Sequence, residues 1–302
     1  MEKILLKVIS LVFIIFFGYF LKKISFFKKE DYKLISKIAI NITLPAATII
    51  SFQNFDKNNS LIIFIFLGVF CNLILLQIGA FISRNKDNKT RALYIISSTG
   101  YNMGSFTIPF LSNILGPIGV IGACMFDTGN APFCIGGAYA IANLYIKNSS
   151  AQNLKEILLK LFFSPAFLVY IILVILSFND IKIPISFINF ITPIGISNTF
   201  LSMLMIGMMF EIEFKKEYLT QSLSILGIRY LFASIMSLIF YNFLPFPLDI
   251  RKIITIIMFA PISGLSPVFV DKCNGNIGLA GFISSISIVI SVIIMISLVF
   301  II

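Results

Sequence analysis

The 302-residue sequence contains no histidine and no tryptophan, and only 12% of its residues are charged. Without histidine, the chain cannot form a Ser–His catalytic pair, an HExxH zinc site or a histidine-ligated haem. A soluble chain of this size carries roughly a quarter charged residues, so a soluble globular enzyme is excluded as the leading class. Hydrophobic residues make up 58% of the sequence, and 33 residues are phenylalanine. The composition indicates a chain embedded in a membrane.

The four cysteines are scattered, and no two of them form a CxxC pair. They predict neither a disulfide framework nor a thiolate metal site, so we expect no metal and no cofactor. The net charge of +10 comes from Lys and Arg residues in short gaps between apolar runs. A nucleic-acid-binding protein would gather these cations in one basic domain, so we expect no nucleic-acid partner.

Long apolar runs recur along the whole chain, each near the 20 or so residues that a spanning helix requires. The runs are continuously apolar and lack the alternation of a transmembrane β-barrel. They predict an all-α integral membrane protein with about ten transmembrane helices. The predicted spans are 4–22, 33–52, 60–83, 92–113, 118–146, 158–178, 186–210, 219–243, 252–271 and 277–301.

The positions of the cations predict how the chain is oriented, because loops that stay in the cytoplasm are enriched in Lys and Arg. If the N-terminus lies outside, fifteen of the 23 Lys and Arg residues fall in cytoplasmic gaps, six in outer gaps and two within spans. We therefore expect both termini to be extracytoplasmic. The abundance of Ile, Lys and Asn indicates a bacterial source, and hence the inner membrane.

Five predicted spans precede the gap at 147–156, and five follow it. An odd number of spans in each half gives the halves opposite orientations. Residues 1–150 and 151–302 are therefore predicted to be two inverted five-helix repeats, which is an architecture of secondary transporters.

The fourth span of each predicted half contains Gly and Pro near its middle. These are the segments NMGSFTIP (102–109) and PISGLSP (261–267). Gly and Pro predict that both helices break inside the membrane, with a simple proline kink as the alternative for either one. Matching breaks predict a binding site near the midplane, where half-helix N-termini favour an anion. The predicted substrate-binding residues are Asn102, Gly104, Pro109, Pro261, Ser263, Gly264 and Ser266.

Two charged residues, Asp127 and Arg229, lie about ten residues inside predicted spans, or roughly 15 Å at the helical rise. Ionisable residues at this depth are rare and usually functional. We expect Asp127 to take up a proton when desolvation penalises its charged form, and Arg229 to balance the charge of a substrate anion or of Asp127. A structural ion pair between the two residues, or an Arg229 side chain that reaches towards the cytoplasm, is the alternative.

Several motifs resemble the auxin efflux carrier family, whose fold is related to that of the bile acid sodium symporters. The fourth-span sequence from Asn102 to Leu111, followed by Gly116, is similar to that family's fourth-helix motif. Asp127-Thr128-Gly129-Asn130 is similar to its fifth-helix signature. Further similarities are Leu44-Pro45-Ala46, Ile206-Gly207-Met208, Ile228-Arg229-Tyr230-Leu231 and Pro261. Two features depart from the family: Ser164-Pro165 replaces its usual Asn-Pro, and a proline that often follows the eighth-helix basic residue is missing.

The resemblance implies a ten-helix fold in which helices four and nine cross and an organic anion binds at the crossing. It implies a secondary transporter of a small carboxylate such as malate or malonate, in which Asp127, Asn130 and Arg229 couple transport or balance charge. The central gap is short, which disfavours auxin as the substrate. The coupling ion is open between a proton, for symport, and sodium, and a homodimer is one open alternative for the oligomeric state.

Two other functions compete with that of a carrier. A passive organic-anion channel or uniporter without ion coupling fits the composition equally well, but gives no reason for two broken helices. An intramembrane enzyme is disfavoured, because the sequence lacks a DDxxD-type acidic pair and only Asp127 among its aspartates lies deep in a span. We therefore expect no enzymatic activity, and a partner set of an organic anion, its coupling ion and the lipid bilayer.

Overall fold

A computed structural model describes residues 2–28, 30–53, 59–146, 155, 159, 162–179, 181–210 and 215–302 of the chain. These residues form helices and turns, and they include no β-strand. The all-α class predicted from the sequence is confirmed for this part of the chain.

Fourteen helices are named here in chain order, and together they follow the predicted spans. They are α1 (Glu2–Lys23), α2 (Tyr32–Ile38), α3 (Leu44–Ser51), α4 (Asn59–Ile82), α5 (Asn88–Ser98), α6 (Ile108–Ile114), α7 (Gly116–Pro132), α8 (Ala138–Tyr145), α9 (Pro165–Phe178), α10 (Ile185–Met209), α11 (Leu219–Phe243), α12 (Leu248–Ile257), α13 (Ser266–Lys272) and α14 (Ile277–Ile301). Wide π-type turns cover Ala39–Thr43, Met103–Thr107 and Phe133–Gly137, and a 3-10 turn covers Lys216–Tyr218.

Seven helical stretches in the described part of the chain are long and apolar enough to cross a bilayer. They are Leu5–Lys23, Tyr32–Ser51, Leu61–Ile82, Gly116–Tyr145, Ile185–Met209, Lys216–Phe243 and Ile277–Ile301. The chain is therefore a multi-pass α-helical membrane protein.

The predicted fourth and ninth spans are both interrupted. Helix α5 ends at Ser98 and helical structure resumes at Met103, whereas α12 ends at Ile257 and α13 begins at Ser266. The first interruption lies before Pro109, which belongs to the helical segment that begins with the π-type turn Met103–Thr107 and continues as α6. Gly100 supplies the turn instead, with a φ of 81° that residues carrying a Cβ rarely adopt.

The described contacts divide the chain into two compact units. Unit 1 consists of Met1–Ile62, Met103–Met125 and Phe162–Phe210, and unit 2 consists of Ile63–Asn102, Phe126–Leu161 and Glu211–Ile302. The predicted boundary between inverted repeats, at residue 150, lies outside the described residues, and the repeats stay a prediction.

Unit 1 is built on close packing between α1 and α10. Gly18 and Gly207 each face a backbone carbonyl of the other helix, at a distance that leaves no room for a Cβ atom. Small residues permit this approach, and such packing stabilises helix pairs in lipid. In the same unit, the hydroxyl of Thr43 donates a hydrogen bond to Asn198 Oδ1 at 2.9 Å, which joins the first π-type turn to α10.

Unit 2 uses the same kind of packing between α4 and α7. A Cβ atom on Gly68 would meet the backbone carbonyl of α7, and one on Gly129 would meet that of α4. The close approach lets Asn72 of α4 and Asn130 of α7 reach each other, with Asn72 Nδ2 donating to Asn130 Oδ1 at 3.1 Å. The glycines therefore position a pair of buried amides.

Asp87 caps the first turn of α5. Its Oδ1 accepts hydrogen bonds from the backbone N–H groups of Lys89 and Thr90, both at 3.1 Å. Hydrogen bonds from Thr90, first from its side chain and then from its backbone, hold the pKa of the Asp87 carboxyl below its ordinary value. The charged carboxylate is therefore the form that stabilises the folded protein.

We expect Asp87→Ala to lower the free energy of unfolding by about 1 kcal/mol at pH 7, and Asp87→Asn to lower it much less, because Asn is an equally good N-cap. The folded pKa lies below the unfolded one, so the advantage of wild type over Asp87→Asn is present above about pH 4 and is lost as the pH falls through the folded pKa. Denaturant unfolding in detergent micelles, at pH 7 and below about pH 4, measures these differences. Equal stability of wild type and Asp87→Ala at pH 7 would contradict the capping role.

Candidate functional site

The two interruptions meet in unit 2. Tyr101 and Ile262 form an isolated antiparallel bridge, and the N–H of Asn102 donates to the carbonyl of Pro261 at 2.8 Å. We name residues 99–102 and 258–265 the crossover. The half-helices that lead into it, α5 and α12, contain 11 and 10 residues, which is about 15 Å each at the helical rise. This length is about half the thickness of a bilayer core.

Two fully buried asparagines hold the first segment of the crossover. Asn72 Oδ1 accepts the N–H of Gly100 at 2.8 Å, and Asn130 Oδ1 accepts the N–H of Tyr101 at 2.9 Å. Asn130 Nδ2 also donates to the carbonyl of Tyr101 at 2.9 Å. These amides replace the backbone hydrogen bonds that are lost where the helix is interrupted.

Arg229, on α11, connects both segments of the crossover. Its guanidinium donates to the carbonyls of Ser98 at 2.9 Å, Ala260 at 3.0 Å and Pro261 at 3.2 Å. The Cζ atom also lies 4.4 Å from the ring centroid of Tyr101. The carbonyl of Ser98 is at the C-terminal end of α5, where an orphan acceptor and the helix dipole both favour a cation. Those of Ala260 and Pro261 belong to the second segment of the crossover, just after α12.

Arg229 is enclosed by protein, since it is only 1% exposed. The interaction that the structure adds, which the sequence did not predict, is the joining of both sides of the crossover by one guanidinium. The charge-balancing role of Arg229 and the alternatives to it stay predictions.

Asp127 belongs to the same hydrogen-bonded network. Its Oδ1 accepts a hydrogen bond from Asn130 Nδ2 at 2.9 Å, and its side chain is half-buried. Asn130 therefore joins the carboxylate to the backbone of Tyr101. Because a protonated carboxyl donates where a carboxylate accepts, a proton on Asp127 changes the partners that Asn130 prefers.

Serine hydroxyls and one thiol make further contacts at and beside the crossover. Ser287 Oγ, on α14, accepts the N–H of Ile262 at 3.1 Å. The hydroxyls of Ser97 and Ser266 lie 3.2 Å apart and join α5 to α13. Cys134 Sγ lies 3.6 Å from the carbonyl oxygen of Tyr101. Side chains from α4, α7, α11, α14 and the third π-type turn thus reach the crossover in unit 2.

Some polar atoms around the crossover have no hydrogen-bond partner within the described part of the chain. They are Ser98 Oγ, Tyr101 OH, Arg229 Nε and Ser284 Oγ, and all four are buried. A buried polar atom without a partner costs free energy. Water or a polar ligand can complete the hydrogen bonding of such atoms.

The structure places eight of the ten predicted site residues in unit 2. These are Asn102, Asp127, Asn130, Arg229, Pro261, Ser263, Gly264 and Ser266. The other two, Gly104 and Pro109, belong to unit 1, where Pro109 is buried and a Cβ on Gly104 would lie 3.1 Å from Leu44 Cδ2. Their part in a substrate site stays a prediction.

The sequence reasoning missed Asn72, Tyr101, Cys134 and Ser287. Asn72 carried a usable signal, because an amide within a continuous apolar run is costly in lipid unless it is paired. Tyr101, Cys134 and Ser287 carried none, since Tyr, Cys and Ser are ordinary residues in membrane helices. Only the fold shows that they meet.

Comparison with known proteins finds no protein-family model and no curated protein that matches the chain. The likeness to the auxin efflux carriers therefore rests on the motifs quoted above. Within the described residues, no group of three or more Cys, Asp or Glu side chains is placed to hold a metal ion.

We expect Arg229→Lys to lower the free energy of unfolding by about 2–4 kcal/mol, because an ammonium cannot span three carbonyls and buried acceptors then lose their donor. Arg251→Lys is the matched control, since Arg251 donates to a single carbonyl, that of Tyr241, at 2.8 Å. It should cost less than about 1 kcal/mol. Thermal unfolding in detergent compares the two variants. Equal losses of stability would show that the three hydrogen bonds of the Arg229 guanidinium have no special role.

Proposed function

We propose that this protein is a secondary transporter of a small organic anion, a carboxylate of the size of malate or malonate. The observation that carries the proposal is the meeting of two interrupted helices at the Tyr101–Ile262 bridge. Non-helical backbone at membrane depth is tolerated where it is buried in protein or lines a cavity. Transporters place their substrate sites at such interruptions.

The charge at the crossover supports an anion as the ligand. Arg229 is buried there with backbone carbonyls and an aromatic ring as neighbours. Burial of a cation is costly unless dipoles or an anion compensate it. Carbonyl dipoles supply part of that compensation, and a bound carboxylate would supply more. Arg229 Nε and the hydroxyl of Ser98 remain as donors for its oxygens.

The proposal extends to the architecture and the setting of the chain. We propose ten spanning helices in two inverted repeats, residues 1–150 and 151–302, in a carrier of the auxin efflux type. The two interruptions support it, because they fall in the fourth and ninth predicted spans, the same place in each half. The distribution of Lys and Arg supports a bacterial inner membrane location with both termini outside.

A counterflow experiment in proteoliposomes tests the carrier. We expect unlabelled malate or malonate inside the vesicles to accelerate uptake of the labelled anion. Pro261→Ala, which restores an N–H in the crossover, should slow this exchange by about tenfold, equivalent to about 1.4 kcal/mol. Pro193→Ala, within the continuous helix α10, is the control and should leave the rate within about twofold.

Two outcomes, one of this experiment and one of a ligand screen, would contradict the proposed transporter of an organic anion. Uptake that internal substrate does not accelerate would favour the passive channel. A specific ligand stabilises the folded state by mass action. A thermal-shift screen in which no mono- or dicarboxylate raises the unfolding temperature would therefore exclude an organic anion as the substrate.

In the proposed mechanism, Asp127 couples transport to a proton. Its carboxylate is half-buried and is joined to the crossover through Asn130. A proton that neutralises Asp127 lets an anion and a proton cross together. A change in the protonation of Asp127 alters its hydrogen bond with Asn130, and Asn130 in turn bonds the backbone of Tyr101.

We expect Asp127→Asn, which mimics the protonated state, to abolish pH-driven accumulation while retaining exchange of substrate. Accumulation driven by an imposed pH gradient and counterflow at equal pH are measured on the same vesicles. Asp249→Asn, at the start of α12, is the control for the loss of one carboxylate. Wild-type pH dependence in Asp127→Asn would exclude Asp127 as the coupling group and favour sodium coupling or uncoupled transport.

A further inference from the structure

Residues 84–89 of unit 2, which are the turn after α4 and the first two residues of α5, carry three exposed cations, Arg84, Lys86 and Lys89. We name these residues the α4–α5 turn. Two of the cations lie over aromatic rings. Arg84 Cζ is 4.6 Å from the ring centroid of Phe81, and Lys86 Nζ is 5.3 Å from that of Tyr94. Cation–π contacts of this kind hold a charged group in place at low cost in side-chain entropy.

The acidic residue within this turn leaves the positive charge in excess. Asp87 is the single carboxylate among residues 84–89, and its Oδ1 is occupied by the N–H groups of Lys89 and Thr90. Three cations against one carboxylate leave the turn with two positive charges in excess. A multiply charged anion is the complementary ligand.

Apolar side chains adjoin these cations at the end of α4. Phe81 is 64% exposed and Ile82 is 42% exposed. An arrangement of exposed apolar groups at a helix end, followed directly by cations, matches the boundary between acyl chains and headgroups.

We propose that the α4–α5 turn binds the phosphate of an anionic phospholipid, with Phe81 and Ile82 against its acyl chains. The lipid supplies both kinds of contact that the turn presents, charge from its headgroup and apolar surface from its chains. A free phosphate ion would satisfy only the cations. The inference is independent of the transported substrate, since it concerns the membrane surface rather than the crossover.

The test compares lipid-dependent stabilisation in wild type and in the triple variant Arg84→Gln/Lys86→Gln/Lys89→Gln. Each protein is placed in nanodiscs of phosphatidylcholine alone, or with about a quarter phosphatidylglycerol, and its unfolding temperature is measured. We expect phosphatidylglycerol to raise the unfolding temperature of wild type and not that of the triple variant. The readout is the difference between the two lipids for each protein, so a lower baseline stability of the variant does not affect it.

Binding is measured directly by native mass spectrometry of the protein titrated with phosphatidylglycerol in detergent. Each surface cation contributes about fivefold to the affinity for an anionic lipid, so the triple variant should bind about a hundredfold more weakly. The matched control neutralises three exposed cations of unit 1, as Lys23→Gln/Lys28→Gln/Lys37→Gln. An equal loss in this control would show that only total charge matters and would overturn the proposal. Equal stabilisation of wild type by soluble inorganic phosphate would also overturn it, in favour of a free-anion site.

Discussion

Unit 2 depends on one constraint: a backbone interrupted inside a membrane must have its polar groups hydrogen-bonded by something other than its own helix. Asn72 and Asn130 satisfy the N–H groups of the first segment, and Arg229 satisfies carbonyls of both. Removing any of these side chains leaves buried polar groups without partners, in surroundings where water cannot easily replace them. The close packing of α4 on α7 at their glycines serves the same constraint, because it brings the two amides within hydrogen-bonding distance of each other.

Much of the architecture was predictable because membrane insertion imposes simple rules on sequence. Continuous apolar runs gave the helix positions closely, and Gly and Pro identified both interrupted spans. Within the predicted fourth span, Gly100 makes the turn, whereas Pro109 lies in the helical segment that follows it. Proline alone therefore does not locate a helix break.

The site was predicted less completely, for a physical reason. Asp127 and Arg229 stood out because a charge in lipid is costly, and this cost is visible in one sequence. The partners of Arg229 are backbone carbonyls, which every residue possesses, so no residue type signals them. Ser287 and Tyr101 became relevant only through the bridge between segments about 160 residues apart in the chain.

The position of Arg229 links its structural role to the proposed transport. Its guanidinium bonds the carbonyl at the C-terminal end of α5 and two carbonyls of the segment that follows α12. These dipoles offset part of the cost of burying the cation, and Asn130 joins the carboxylate of Asp127 to the same network. In the proposed carrier, this offset weakens the attraction of Arg229 for an anion, which favours release, because a substrate that binds too tightly is not released. Without the guanidinium, the three carbonyls would lose their donor and the proposed anion would lose its cation. Stability and the proposed anion binding in unit 2 therefore depend on the same side chain.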